Sequence, residues 1–402
     1  MELVCDKAPV QNAVSALHDT CMREGAMLHD SLRMAVGPED AIWLESDLPT
    51  DSREMLVSLP ASCLPSLDDF RLHLMGDEIR IADQLAGASE AQAECLSQML
   101  AIYNATGKLA AHRAASPWHT LHDAPEVLAT LAAARRGAPR IEYLHKRATE
   151  GADDDFVLES FLGTRKYAGP KNKSNGKSSD ILLPFIDYAN HHSHAPGFQP
   201  QESLNHAEHI IGLANARPLH NNPEVRVRYG QIDPLDSYLT YDFVDTTSDI
   251  LRSVPLTIEL EVGTIEILAR IGRGAGKQQK LPQQMNDLRP FMPIIQERDE
   301  ARLSLSHLLV PEMKRPMILR RVLNWSIRQL DPHIKLDRLR AEVTEAEAQV
   351  LAANRAFYDD LKDKSASLTA EAPRTALTTL IETQKGHLDA YSDRLAEMFE
   401  SV

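Results

Sequence analysis

The sequence is poor in cysteine, and the few cysteines it has are scattered. They are Cys5, Cys21, Cys63 and Cys95, and no two of them stand in a Cys-x-x-Cys spacing. Paired cysteines at short spacing are typical of zinc sites, and regular cysteine frameworks are typical of small secreted proteins held by disulfides. The pattern therefore indicates neither a zinc site nor a disulfide framework.

Long hydrophobic runs and an excess of positive charge are also missing. No stretch approaches the length that spans a membrane. The first residues, M-E-L-V-C-D-K, lack the basic segment and apolar run of a secretory signal. A formal net charge of -15 argues against a nucleic-acid backbone as the partner, since that surface needs clustered Lys and Arg. We expect a cytoplasmic protein that binds neither membranes nor nucleic acid.

The composition is otherwise that of an ordinary globular protein. Hydrophobic residues make up 43% of the chain and charged residues 25%, which indicates neither disorder nor a fibrous class. A chain of 402 residues is longer than one average domain, so two or three domains are expected.

The stretch from 181 to 243 carries the densest set of candidate functional residues. It opens with I-L-L-P-F-I-D-Y-A-N-H-H-S-H and closes with V-R-V-R-Y-G and, further on, L-T-Y-D-F-V. The first piece predicts an apolar segment that ends in a polar turn at Asn190 and His191. The second predicts a short strand leading to Tyr229, then a helical turn leading to Tyr241 and Phe243. Two phenol groups and an Asn-His pair would then converge.

These motifs resemble those of the SET-domain methyltransferases, most closely the branch similar to RuBisCO large-subunit methyltransferase. That family carries P-x-x-D-x-x-N-H and, later, Y-G followed by L-x-Y-G-F-V. The matching residues here are Pro184, Asp187, Asn190, His191, Tyr229, Gly230, Leu239, Tyr241, Phe243 and Val244, with Asp242 where the family has glycine.

The resemblance implies an α+β protein in two parts. A SET-domain β-fold of short twisted sheets with a pseudoknot would occupy residues 1–280, interrupted by a helical insert at about 67–150. An all-α domain similar to the family's substrate-binding domain would occupy 281–402. Local patterns agree with parts of this layout: an amphipathic helix within residues 1–24, strands from Ser31 to Pro60, a hairpin around Gly263, and two heptad-like helices after Leu336.

The resemblance also implies roles for individual residues. Tyr229 would be the catalytic tyrosine, and Tyr241 would line the amine pocket as a second catalytic residue. The implied binding residues for S-adenosylmethionine (AdoMet) are Arg165, Asp187, Asn190, His191, Tyr229 and Phe243. Without the motifs around them, Tyr229 would be interpreted as a core aromatic and Arg165 as a surface cation.

One departure from the family concerns the cofactor loop. Alignment of the first strands places Glu39 and Ala41 where the family has two glycines. Glycines there let the backbone approach the methionine part of AdoMet, because no Cβ fills the space. Glu39 would instead place an anionic side chain near a ligand that carries a carboxylate.

The leading hypothesis is an AdoMet-dependent N-methyltransferase that acts on a lysine side chain of a protein or peptide. A histidine side chain or a small-molecule amine is an alternative acceptor, and a SET-like scaffold that binds a peptide without catalysis is a third hypothesis. The cluster His191, His192 and His194 suggests a metal, but no further ligand motif completes a first shell, so no metal site is predicted.

Overall fold

The computed structural model describes residues 2–49, 52–151, 153–171, 178–201, 204, 208–216, 222–269, 288–298, 302–311 and 317–400. The strands are β1 (Glu2–Val4), β2 (Met27–Leu28), β3 (Leu32–Val36), β4 (Ile42–Ser46), β5 (Met55–Pro60), β6 (Phe70–Met75), β7 (Glu78–Gln84), β8 (Tyr167–Lys171), β9 (Ser178–Ile181), β10 (Asn190–His191), β11 (Gln199–Pro200), β12 (His209–Ala214), β13 (Arg226–Val227), β14 (Ile250–Arg252), β15 (Leu256–Leu260), β16 (Gly263–Leu268), β17 (Ile294–Arg298), β18 (Arg302–Ser306) and β19 (Leu309–Pro311).

The helices are α1 (Ala8–Arg23), α2 (Glu90–Ala105), α3 (Lys108–Ala115), α4 (Pro117–Thr120), α5 (Pro125–Ala133), α6 (Pro139–Glu150), α7 (Asp154–Gly163), α8 (Pro234–Tyr241), α9 (Met317–Leu330), α10 (Leu336–Ser365) and α11 (Glu371–Glu400). Short 3₁₀ turns include Pro38–Asp40, Ala61–Cys63 and Ile186–Tyr188. The mixture of helices and strands agrees with the expected mixed class.

The chain forms two compact units, and each is built from two segments. The first unit is Met1–Ala114 with Ala152–Gln231, and the second is Ala115–Gly151 with Ile232–Val402. The predicted domain boundary at 280 lies outside the described residues. That boundary stays a prediction.

Short sheets around one core make up the first unit. β3 and β4 form an antiparallel hairpin with β1 parallel to β3, and β5 lies between β12 and β2 in the order β11-β12-β5-β2. Alternation in β4, I-W-L-E-S, buries Ile42 and Leu44 while Trp43 and Glu45 are only partly buried, as expected for a strand with one face on the core. The predicted series of three strands from Ser31 to Pro60 is confirmed.

The expected helical insert begins later than predicted. Residues 70–84 form the hairpin β6–β7, and the helices of this region start at Glu90. The segment F-R-L-H-L-M-G-D-E-I-R-I alternates apolar and polar residues on both sides of Gly76, whose φ is 64°. Alternation around a glycine with positive φ is typical of a hairpin, so the prediction of helix from residue 67 was wrong for this part.

The second unit contains strands where an all-α domain was expected. Its sheet has the order β15-β16-β18-β17, and β14 pairs with β19. The hairpin β15–β16 turns at Gly263 as predicted. The prediction that the chain beyond 281 is all helical is wrong at 294–311, where R-L-S-L-S alternates apolar and polar residues and pairs in parallel with β16. A two-residue period favours a strand over a helix.

Two long helices confirm the heptad-like pattern near the C-terminus. α10 and α11 are antiparallel, since Arg355 contacts Asp389 while Asp359 pairs with Lys385. Apolar residues of both helices are buried, among them Leu339, Val343, Ala346, Val350, Leu377, Ile381 and Leu388.

A buried network of charges fixes the second unit near α8. Arg135 is 2% exposed, donates two hydrogen bonds to Asp233 at 2.8 and 2.9 Å, and donates a third to Asp236 at 2.6 Å. Arg252 reaches the other oxygen of Asp236 at 3.0 Å. Burial by itself would raise the pKa of Asp236, but Arg135 and Arg252 lower it to about 2. Asp236 is thus ionised at neutral pH, whereas burial raises the pKa of Asp233.

His307 faces the same network from the end of β18. Burial, reinforced by repulsion from Arg252, lowers the pKa of His307 to about 4. A base whose pKa is lower in the folded state than in the unfolded chain takes up fewer protons when folded. The free energy of unfolding is therefore unaffected by His307 above its unfolded pKa of about 6.5, and it decreases as the pH falls towards 4.

We expect this histidine to cost the protein up to about 3 kcal/mol of folding stability between pH 7 and pH 4. The control variant is His307→Asn, because asparagine tolerates the φ of 62° found at this position and does not titrate. Urea unfolding at a series of pH values measures the effect. The wild type should lose more stability than the variant as the pH falls, and parallel profiles would remove His307 as a cause.

Candidate functional site

The Asn-His motif and the Tyr-Gly motif meet in the first unit. β10 pairs in parallel with β13, so that Asn190 lies opposite Arg226 and His191 opposite Val227. The backbone N–H of Tyr229 donates to Nδ1 of His191 at 3.1 Å, across 38 residues of sequence. Nδ1 is then an acceptor, and the neutral ring carries its proton on Nε2. The predicted convergence of these two motifs is present.

Tyr229 has a fixed hydroxyl and aromatic neighbours. Its O–H donates to the carbonyl of Ala189 at 2.9 Å. Its ring lies 5.2 Å from the ring of His191 and stacks on Phe198 at 6.4 Å with an interplanar angle of 8°. Tyr167 packs edge-on against Phe198 at 5.5 Å. The phenol is therefore held in one orientation within an aromatic cluster.

Arg165 and Asp187 form a buried ion pair. The guanidinium donates to Asp187 at 2.7 Å, and the two side chains are 17% and 7% exposed. Tyr103 donates to the same carboxylate oxygen at 2.9 Å. The guanidinium also lies over the rings of Tyr103 and Phe161, at 5.0 and 4.6 Å, a favourable cation–π geometry. Arg165 is thus a built-in part of the core and not a surface cation.

The charges of this pair shift each other's pKa. Burial would lower the pKa of Arg165, but Asp187, Tyr103 and Tyr229 raise it well above its usual range. Burial raises the pKa of Asp187, partly offset by Arg165 and Tyr103. Tyr229 and Arg165 therefore share one electrostatic environment, although they are distant in sequence.

Two further residues of this cluster were missed by the sequence analysis. Burial and repulsion from Arg165 lower the pKa of Lys108 to about 8. Tyr188 is 2% exposed, and within the described part of the chain neither its hydroxyl nor Nε of Arg165 has a hydrogen-bond partner. Phe185, just before this turn, is fully buried with a φ of 59°. Strained backbone and unpartnered buried donors are features of ligand sites.

Asn190 is exposed, but its amide group is anchored. Its NH₂ donates to Glu224 at 2.8 Å, and Glu224, 8% exposed, is also paired with Arg226. Glu224 itself is held in place by a bridge to Glu45 of β4. Glu224 carried no recognisable signal in the sequence, because its partner is 34 residues away.

Tyr241 and Phe243 belong to the second unit. Their rings lie 6.4 Å apart at the end of α8, and both side chains are partly buried. Burial raises the pKa of Tyr241, so its phenol is neutral at physiological pH. Trp118, 1% exposed, donates its indole N–H to the carbonyl of Leu239 at 2.9 Å and so packs against this helix as an anchor.

Asp242, between Tyr241 and Phe243, has a left-handed backbone conformation that glycine adopts most easily. Asp242 caps α8 with φ 68° and ψ 16°, the left-handed region. This is the position where the related motif has glycine, and aspartate is among the few other residues that enter this region at moderate cost. The substitution therefore preserves the turn.

We expect the stability of variants at position 242 to depend on how well the new residue tolerates a positive φ. Asp242→Val should destabilise the protein by about 1–2 kcal/mol, because a β-branched residue is strained there. Asp242→Gly should leave stability within about 1 kcal/mol of wild type. Chemical denaturation measures both. Asp249→Val is the control, since Asp249 has no positive φ; equal losses at 242 and 249 would contradict this explanation.

The loop in which the family has glycines is a tight turn here. Glu39 lies in the 3₁₀ turn Pro38–Asp40, and Ala41, which is exposed, follows it. Gly37 opens the turn, and a Cβ added there would come within 2.5 Å of the Trp43 ring. In this loop the position that requires glycine is therefore 37, because the Trp43 ring packs against it.

Neither a metal centre nor a membrane span was found in the described part of the chain. Within it, no group of three or more His, Cys, Asp or Glu side chains is arranged to hold a metal ion. His191 and His192 instead accept hydrogen bonds from backbone N–H groups, at 3.1 Å each. Among the same residues, no helix combines the length and apolarity needed to cross a membrane.

Comparison with known proteins gives weak similarity only. No protein-family model and no curated protein matches the chain. Among solved structures, the chain is similar to the SET domain of LSMT bound to lysine and AdoHcy (13% identity, 97% of this chain and 92% of that chain, TM-score 0.37). It is also similar to the SET domain of LSMT bound to methyllysine and AdoHcy (13%, 96% and 92%, TM-score 0.40) and to Rubisco LSMT bound to sinefungin and monomethyllysine (14%, 96% and 92%, TM-score 0.41).

Proposed function

We propose that the protein is an AdoMet-dependent N-methyltransferase of the SET-domain class that methylates a lysine side chain of a protein or peptide. The observation that carries the proposal is the hydrogen bond from the Tyr229 N–H to His191, which joins the two motifs on which the family resemblance rests. The adjoining Arg165–Asp187 pair, which comes from the same set of expected residues, supports it further.

Tyr229 has the role of orienting the amine. Its hydroxyl proton is directed at the Ala189 carbonyl, and a hydroxyl that donates in this way still offers lone pairs to an N–H group. Methyl transfer is an in-line displacement, so alignment of the nitrogen lone pair with the bond to the methyl group is the main task of a catalyst. Holding one N–H of the amine directs that lone pair.

The acceptor amine has to be neutral before it attacks. The pKa of a lysine in water is about 10.4, and burial in an apolar channel lowers it. In the same unit, burial and repulsion from Arg165 lower the pKa of Lys108 to about 8, which is the direction that an acceptor amine requires. No carboxylate base is then required. Tyr241 is assigned to the amine pocket through the family resemblance, with its phenol neutral because burial raises its pKa.

The residues of the first unit fit AdoMet chemically. When bound, AdoMet supplies an electrophilic methyl group and carries an amino-acid carboxylate. Nε of Arg165 and the hydroxyl of Tyr188 are buried donors without partners within the described part, and a carboxylate satisfies such donors. Asn190 and His191 would hold the adenine, with Asp187 fixing Arg165. Phe243 is assigned to the border of the cofactor through the family resemblance alone.

Asn190→Ala should weaken AdoMet binding about fivefold to tenfold, the effect of losing one hydrogen bond of about 1 kcal/mol. Glu224→Gln is the matched control, because it keeps an oxygen that can accept from the Asn190 amide. It should bind AdoMet close to wild type. Isothermal titration calorimetry measures both affinities, and wild-type affinity in the alanine variant would remove Asn190 from the cofactor site.

A transfer assay with labelled AdoMet tests the proposed acceptor. Three acceptors are compared at equal concentration: a lysine-rich peptide, the same peptide with histidine in place of lysine, and a simple alkylamine. The proposal predicts label in the lysine peptide, located on the amine by mass spectrometry. Labelling of the histidine peptide alone, or of the alkylamine alone, would show that lysine is not the acceptor. No labelling of any acceptor would count against a methyltransferase.

A further inference from the structure

Three of the four cysteines meet in the core of the first unit. Sγ of Cys21 lies 3.9 Å from Sγ of Cys95, and Sγ of Cys63 lies 3.8 Å from the carbonyl oxygen of Cys21. All three side chains have no exposed surface. Cys5 is different, since it is partly exposed and its sulfur accepts from the backbone N–H of Lys7.

The meeting of Cys21 and Cys95 follows from helix packing. Val14, Leu17 and Cys21 recur at steps of three and four on the buried face of α1. Ala91, Cys95 and Met99 recur at steps of four on the buried face of α2. Residues at this spacing share one helix face, so packing of the two faces brings the thiols together although the cysteines are 74 positions apart.

We infer that Cys21 and Cys95 form a dithiol that a small two-electron oxidant converts into a disulfide linking α1 to α2. The two sulfurs are already in contact at 3.9 Å, and a disulfide needs them at about 2.05 Å. Rotation about the Cα–Cβ bonds moves a sulfur over this range. Cys63 also contacts both thiols, but its Sγ is directed at the backbone carbonyl of Cys21, so we assign the bond to Cys21 and Cys95.

The reaction balances with a peroxide or an azo oxidant. Two S–H bonds break and one S–S bond forms, and the two electrons and two protons pass to the oxidant. Hydrogen peroxide is converted into two molecules of water, and an azo compound is converted into its hydrazine. Contacts with the thiols of Cys63 and Cys95, together with burial, raise the pKa of Cys21, and the pKa of Cys95 is raised to about 12. Contact with the Cys21 thiol instead lowers the pKa of Cys63 to about 4. Cys21 and Cys95 are therefore protonated at rest, and their oxidation is slow.

The test uses the full-length native protein and the azo oxidant diamide. Remaining thiols are capped with N-ethylmaleimide, and the digest is mapped by mass spectrometry without reduction. We expect a cross-linked peptide pair that contains Cys21 and Cys95. Because the bond closes a long loop, the melting temperature of the oxidised protein should rise by about 5 °C or more and return on reduction.

Variants separate this pair from the other thiols. Cys5→Ser and Cys63→Ser should keep the cross-link and the shift in melting temperature, whereas Cys95→Ala and Cys21→Ala should lose both. Mapping the cross-link in the wild-type protein tests the inference even if a cysteine variant fails to fold. A cross-link through Cys63 or Cys5, or a Cys21–Cys95 cross-link that forms only in urea, would overturn the inference.

Discussion

Tyr229→Phe is expected to slow methyl transfer by about a hundredfold or more while AdoMet affinity stays within about threefold of wild type. The variant keeps the ring and its stacking on Phe198. It loses the oxygen that orients the amine, together with the hydrogen bond to the Ala189 carbonyl. An interaction made mainly in the transition state lowers kcat and kcat/KM together. Its loss does not change ground-state binding of the cofactor.

A neighbouring phenol provides the control for this prediction. Tyr167 packs against Phe198, the same ring on which Tyr229 stacks, with the ring centres 5.5 Å apart. Tyr167→Phe removes a hydroxyl from the cluster without touching Tyr229, so its turnover should equal that of wild type. If both variants were slow to the same degree, or if Tyr229→Phe turned over normally, Tyr229 would not be the catalytic tyrosine.

Arg135→Met is expected to destabilise the protein by about 3–5 kcal/mol, the largest effect on folding predicted here. The substitution leaves the carboxylates of Asp233 and Asp236 buried with part of their positive charge removed. Both carboxylates contact Arg135 at 2.6–2.9 Å. Bringing unpaired charges out of water costs more than the methionine side chain regains by packing.

Arg136→Met is the matched control, since Arg136 is the next residue and its side chain is exposed. Its replacement should change stability by no more than about 0.5 kcal/mol. Urea denaturation gives the two free energies of unfolding. Losses of equal size would show that the loop, and not the buried charge network, determines the effect.

The elements that the sequence predicted are those with a clear local period. α1, β3 to β5, the hairpin at Gly263 and the pair α10 and α11 all carry their pattern within a few turns or alternations. The strands at 294–311 were missed because the helical pattern of the following residues was extended backwards over them. The hairpin β6–β7 was missed for a similar reason, since the Ala- and Leu-rich helices begin shortly after it.

The site was predictable only as far as motif matching reaches. Asn190, His191 and Tyr229 were expected together. His191 accepts a hydrogen bond from the backbone N–H of Tyr229, and Asn190 is the neighbour of His191 in β10. Glu224 and Tyr103 were not expected, although each holds a motif residue. Each contact joins residues far apart in sequence. A single sequence carries no local signal for such contacts, because they depend on how the chain folds back on itself.

The cysteines illustrate the same point. They look isolated along the chain, yet Cys21, Cys63 and Cys95 are brought together by packing of α1, α2 and the turn Ala61–Cys63. Spacing rules for cysteine apply to ligands within one loop or hairpin. They do not report thiols that meet between helices.

Titration calorimetry of the protein with AdoMet and with its demethylated product tests the central claim most directly. An AdoMet-dependent methyltransferase has to bind both ligands at one site, and enzymes bind substrates in the range of about 1 μM to 1 mM. The proposal predicts saturable one-to-one binding of each ligand and competition between them. Absence of binding for both ligands at several times the upper end of that range, in protein whose fold is verified by circular dichroism, would contradict the methyltransferase assignment.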